Sequence, residues 1–365
     1  YENTMVGGSV ALGNSVWAMN SAAVAIGTHV NASGTAAGAY STAMGSKTDA
    51  TGTQSVAIGV LDKATGTQAV VVGAENEATA TNATAIGSKN TATQQAATAL
   101  GTWTNATGFR STAVGVNVAA SGESSYAAGD KAAASGKAAN AIGLSAAASA
   151  ENSTAMGTST EASGIGATAV GKAAKAKAQS AGAFGDTANA TGVQSLAAGY
   201  STTATNQDSN AIGSRTSSTG KYATAVGTEA NASGESGFAA GAKVNATGNQ
   251  STAVGYDSTA SGAGSVTLGR GGTATGAGSY AMGYGANATN DSAFAIGSKA
   301  NAGAYASMAI GKGATTKAQD ATSTYSYSGT GGAVGASGYN TETSTIHSGA
   351  GTDTASDTYN SGDTL

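Results

Sequence analysis

The sequence contains no cysteine and no proline. Without cysteine there is no disulfide framework, and nothing marks the redox compartment. Without proline, turns fall to glycine and the small polar residues. Only four phenylalanines and two tryptophans occur in 365 residues, too few large apolar side chains for a conventional core. Charge is scarce too. Sixteen Lys and Arg stand against 20 Asp and Glu, a net charge of −4 with no basic run. That disfavours a nucleic-acid partner. Low charge combined with a regular pattern also argues against disorder. Nowhere do 18 apolar residues run together, and Tyr1-Glu2-Asn3-Thr4 is no basic, apolar leader. The expectation is a segment without signal peptide or membrane span, either soluble or a piece of something longer.

What is present is a phrase. Ser251-Thr252-Ala253-Val254-Gly255 returns as Ser55-Val56-Ala57-Ile58-Gly59, Ala83-Thr84-Ala85-Ile86-Gly87 and Ser153-Thr154-Ala155-Met156-Gly157. From Gly45 to Gly311 the closing glycine recurs every 14 residues without a miss. Gly13 and Gly27 extend the series to 22 units, with one four-residue insertion near residues 35–40. A fixed short period is the mark of a solenoid, in which each unit contacts only its neighbours.

Positions are numbered from the closing glycine. Position +7 is often a second glycine, as at Gly52, Gly66 and Gly108, so two short runs separate two turns in every unit. Such runs suit short strands, and glycine supplies positive φ at the turns. Each unit is then one coil: strand, turn, strand, turn. Stacked coils advance ~4.8 Å each and build parallel sheets, a rod of roughly 105 Å. The fold class is all-β, a parallel β-roll or solenoid over residues 1–318. Residues 319–365, rich in Gly, Ser, Thr and Tyr, form a cap, a different small fold or a flexible tail.

Strand alternation sorts the side chains. Positions −4, −2 and +5 are almost always small and are assigned to the narrow interior. Position −1 then points outward, although it is apolar in all 20 units from Gly45 onward. That row contains Met44, Ile58, Val72, Ile86, Leu100, Val114, Ile142, Met156, Val170, Ile212, Val226, Val254, Leu268, Met282, Ile296 and Ile310. So long an apolar stripe is rare on a soluble monomer, and a second copy of the chain is the natural cover. Two or three copies could close around one axis. Lys, Arg, Asp and Glu between residues 45 and 320 avoid positions −4 to −1, +5 and +7, which reads as a solvated outer face.

The unit resembles the head repeat of trimeric autotransporter adhesins, the YadA-like family of bacterial surface proteins. The resemblance rests on phrases such as Ser55-Val56-Ala57-Ile58-Gly59 and Ala295-Ile296-Gly297, the 14-residue period and the Ala106-Thr107-Gly108 turn, over about residues 9–318. It implies a left-handed roll, a homotrimer with the position −1 row at its interface, and a place outside the cell. The family continues into a coiled-coil stalk and a membrane barrel, and neither pattern follows residue 320. Phage and virion tail fibres borrow the same repeat and supply the alternative reading.

Chemistry-bearing motifs are few. Gly166-Ala167-Thr168-Ala169-Val170-Gly171-Lys172 mimics a phosphate loop, but Ala173 stands where the magnesium-binding hydroxyl belongs. His29 and His347 are more than 300 residues apart, which argues against a metal site or triad. Asn105, Asn231 and Asn245 open Asn-Ala-Thr/Ser triplets and read as turn residues. The position +6 row, Thr51 through Thr107 and beyond, could serve an ice-binding solenoid, although Lys177 and Lys317 interrupt it. The reading is a non-enzymatic, cofactor-free and metal-free fibrous adhesin head. Its partners are its own copies and host-cell or matrix surfaces, gripped by many weak contacts.

Overall fold

The computed structural model describes residues 4–5, 7–32, 40–317, 324–327 and 344–347. The insertion near residues 35–40 falls almost wholly outside them, as does most of 319–365, where Thr324–Tyr327 pairs antiparallel with Ser344–His347. Among the described residues there is no helix.

Each coil has a long strand around the phrase and a short one after the first turn, as in Thr252–Tyr256 and Thr259–Ala260. The short strand usually holds two residues, fewer than the spacing suggests. Within the solenoid, strands pair in parallel with their counterparts one coil on. Thus Thr252 faces Val266 while Thr259 faces Thr273. The chain is a parallel β-solenoid of 14-residue coils. Its first two coils merge both segments into nine-residue strands, Val10–Ala18 and Val24–Ala32. Register survives the insertion, since Gly27 still pairs with Gly45.

The two glycine rows do different work. Closing glycines have φ near 130°, as at Gly255 (132°), a region closed to other residues. The Gly52 row has no positive φ; there a Cβ would lie 2.0 Å from the Gly66 carbonyl oxygen. Close approach of backbones, not turn geometry, requires glycine at that second row. The left-handed turn residues are mostly not glycine at all. Lys47 (φ 55°) and Gln54 (φ 58°) stand at positions +2 and +9, and their equivalents repeat along the rod.

The interior is lined by Ala43, Ala57, Ala85 and Ala253 from the phrase and by Ala64, Ala78 and Ala106 from the short strand, all buried. Serine at position −4 is buried as well and in several coils closes the preceding turn, while Ser125 and Ser251 leave their hydroxyls unpaired. Ser55, Ser195 and Ser279 each donate from Oγ to the carbonyl three residues back, at 2.7 Å. A fourth inward row is added by position +3. Val118, Val244, Asn90, Thr104 and Asp62 all lie inside the coil there. Asp62 therefore departs from the solvated outer face assigned to charged residues.

Candidate functional site

The position −1 row forms one unbroken line. Met44 pairs with Ile58, Ile58 with Val72, Val72 with Ile86, Ile86 with Leu100 and Leu100 with Val114. The same register carries Ile142 to Met156 and Val170, then Ile212 to Val226, Val254 to Leu268 and Met282, and Ile296 to Ile310. In the single chain these side chains are half-exposed to exposed: Val226 36%, Met44 37%, Ile58 38% and Ile212 40%. Alternation along the strand gives this, because Ala at position −2 takes the inward place. Position −3 shares the face. Tyr126 and Phe238 are exposed there, and Tyr280 stacks on Phe294 with centroids 4.7 Å apart.

The turns carry the polar chemistry. Lys89 lies 4.5 Å from the Trp103 ring centroid and 3.8 Å from Glu75. Arg270 sits between Tyr256 and Tyr284, 5.3 and 5.8 Å from their centroids. Arg215 pairs with Glu229 at 2.7 Å, one coil apart. These groups are exposed or half-exposed, and each pair contributes little to stability. Among the described residues no cluster of His, Asp or Glu could hold a metal ion.

The sequence motifs take ordinary places. Gly166 and Gly171 lie on opposite sides of the strand Thr168–Val170, so they form no phosphate loop, and Lys172 is exposed. His29 is exposed and has a left-handed φ (53°) within the merged strand Val24–Ala32 rather than on a separate turn. Asn105, Asn231 and Asn245 begin short strands rather than occupying turns. Thr65, Thr79 and Thr107 face outward, as does Lys177 in their row.

One buried polar ladder escaped the sequence reading. Asn76 Oδ1 accepts from the Asn90 amide at 3.0 Å, and Asn90 Oδ1 accepts from the Thr104 amide at 2.9 Å and hydroxyl at 2.6 Å. Below them, Asp62 Oδ1 accepts from the Asn76 amide at 2.9 Å. Burial pushes the Asp62 carboxyl above its ordinary range, against the pull of the Asn76 donors and of the Gly73 amide close by. The signal was available: position +3 never carries Lys, Arg or Glu from Gly45 to Gly311.

The family model of the YadA head domain repeat matches residues 36–60, 64–90, 92–117, 134–160, 190–216, 218–243, 246–271 and 274–300, more than half of the chain. The chain belongs to the YadA head family. That family comprises bacterial surface adhesins that are generally non-enzymatic. No curated protein matches the chain. In this YadA head the matched segments include most of the apolar row and Asn76, Asn90 and Thr104 of the polar ladder.

Proposed function

We propose that this chain is the head of a trimeric adhesin on a bacterial surface, with three left-handed rolls side by side. The observation that carries the reading is the unbroken, half-exposed apolar row from Met44 to Ile310. Covering it with equivalent rows from other copies removes it from water at on the order of 1 kcal/mol per coil. Three copies and the left hand follow the family; cyclic closure explains how identical rows cover one another. Ile142 and Ile212 lie in the seam, and the turn residues face outward.

The proposed work is attachment to host-cell or matrix surfaces by repetition. About 20 similar coils per chain present the same outer positions. Shallow contacts become strong when many engage at once, by ~10²–10⁴ over a single one. The test compares the full rod with an assembled fragment of a few coils, at equal coil concentration, on cells and on immobilised matrix. The full rod is expected to adhere far better. Equal adhesion would mean that one local site carries the activity, and the repetition account would fail.

A further inference from the structure

Asp62 is the only charged-type side chain among the described residues that is fully buried. It occupies position +3, as Asn76 and Asn90 do in the next two coils. Those two asparagines act as clasps. Asn76 Nδ2 donates to the carbonyl oxygens of Gly87 (2.8 Å) and Val72 (3.3 Å). Asn90 Nδ2 donates to those of Gly101 (2.7 Å) and Ile86 (2.8 Å). Each ties its own phrase to the closing glycine of the next coil.

In the Asp62 coil the equivalent carbonyls belong to Ile58 and Gly73. Asp62 Oδ1 is already accounted for, accepting from the Asn76 amide (2.9 Å) and Asn76 Nδ2 (3.0 Å). Oδ2 is buried without a hydrogen-bond partner. Its seat is the donor seat. A Cβ on Gly59 would lie 2.5 Å from Asp62 Oδ2, just as a Cβ on Gly73 or Gly87 would lie 2.9 or 2.8 Å from the Nδ2 of Asn76 or Asn90. An ionised carboxylate has no donor to offer these carbonyls, and the Gly73 amide close by makes no hydrogen bond to Oδ2. A protonated one supplies the missing O–H.

We propose that the folded rod carries Asp62 as a neutral carboxylic acid whose Oδ2–H donates to the Ile58 or Gly73 carbonyl, a proton-dependent clasp between coils. No titratable group faces it from within: the surrounding interior rows hold Thr48, Ser55, Ala57, Ala64, Val71 and Asn76. Asp49, Lys63 and Glu77 stand on the outward row beside it, with Lys63 and Glu77 paired at 3.9 Å. Burial raises its carboxyl, and no charge contributes to the shift. Because the folded value lies above the ordinary 3.8, the stabilisation is complete below 3.8 and is lost as pH rises through the folded value.

The experiment uses the full chain and two readouts. Infrared spectra of the wild type and Asp62→Asn are compared across pH. The wild type is expected to show a protonated-carboxyl band at pH values where exposed carboxyls are ionised, and D62N to lack it. Hydrogen exchange over residues 56–90, corrected for intrinsic rates, is followed over the same range. Exchange in the wild type should accelerate by up to about tenfold per pH unit between the ordinary and raised values. D62N should lose that slope and be protected at least as well as the wild type above it, since its amide restores both donors. Absence of the wild-type band, or faster exchange in D62N under alkaline conditions, overturns the proposal. So does wild-type protection that rises with added calcium and falls with a chelator, because Oδ2 would then hold a cation rather than a proton. The wild-type spectrum decides even if the variant fails to assemble.

Discussion

Gly227 and Gly241 face each other one coil apart, so closely that a Cβ on Gly227 would stand 1.9 Å from the Gly241 carbonyl oxygen. Gly227 also holds φ at 130°. Gly227→Ala meets both obstacles and should cost on the order of 3 kcal/mol or more. Gly264 differs. Its φ is 64°, nothing lies within 4 Å of an added Cβ, and Ala138 and Ala306 take φ of 52° and 50° at the same turn position. Gly264→Ala should cost about 1 kcal/mol or less. Thermal melting of the two variants, with segment-resolved hydrogen exchange, checks the contrast. Equal effects would mean that the closing glycine is not a packing requirement.

The apolar row provides the second prediction. Ile142 is 37% exposed and Ile212 40% exposed in the single chain. Replacing either by Asp would place one carboxylate per copy in the proposed dry seam. Light scattering should show weaker assembly, while the circular dichroism of the coils is retained. A wild-type chain that is monomeric at all concentrations would show that the row faces water.

Asn90 makes four hydrogen bonds through its side chain, two as donor and two as acceptor. Asn90→Ala abandons them inside the coil, where an unpaired polar group costs ~1–3 kcal/mol. Local opening of the coils between Gly87 and Gly115 should become easier by that amount. Hydrogen exchange of the Thr104 amide reports it directly. Unchanged protection would show that water takes over the vacated partners at no cost.

Asp49 gives a fourth, with its own sign. Burial raises its carboxyl above the ordinary value, and Lys63 pulls it down. Its contribution to stability is complete below the ordinary value of 3.8 and falls as pH rises through the raised one. Lys63→Met removes the cation, so the Asp49 titration should move to higher pH. A carboxyl NMR titration of wild type and variant measures the shift. Movement to lower pH would mean that Lys63 does not act on Asp49.

Much of this architecture is legible in the letters. A glycine every 14 residues announces the coil, and Ala57 between Val56 and Ile58 announces which side is narrow. The reading failed where alternation stops. Position +3 follows a turn, so the period of two along the phrase does not reach it, and Asp62, Asn76 and Asn90 look like surface residues there. Asn105 misled for the opposite reason. Asparagine favours turns, yet ladder pairing with Thr91 and Ala119 holds it in a strand.

By itself, then, the sequence determined the period, the strand-and-turn coil, the small interior rows and the apolar identity of position −1, because each is a local pattern repeated often enough to be read. Only the tertiary structure decided why the second glycine row exists, which turn residues look inward, and that Asp62 Oδ2 lies where its neighbours place an amide donor. Those facts depend on what the adjacent coil brings to within a few ångströms. That distance is set by the stacking of backbones and is written in no single repeat.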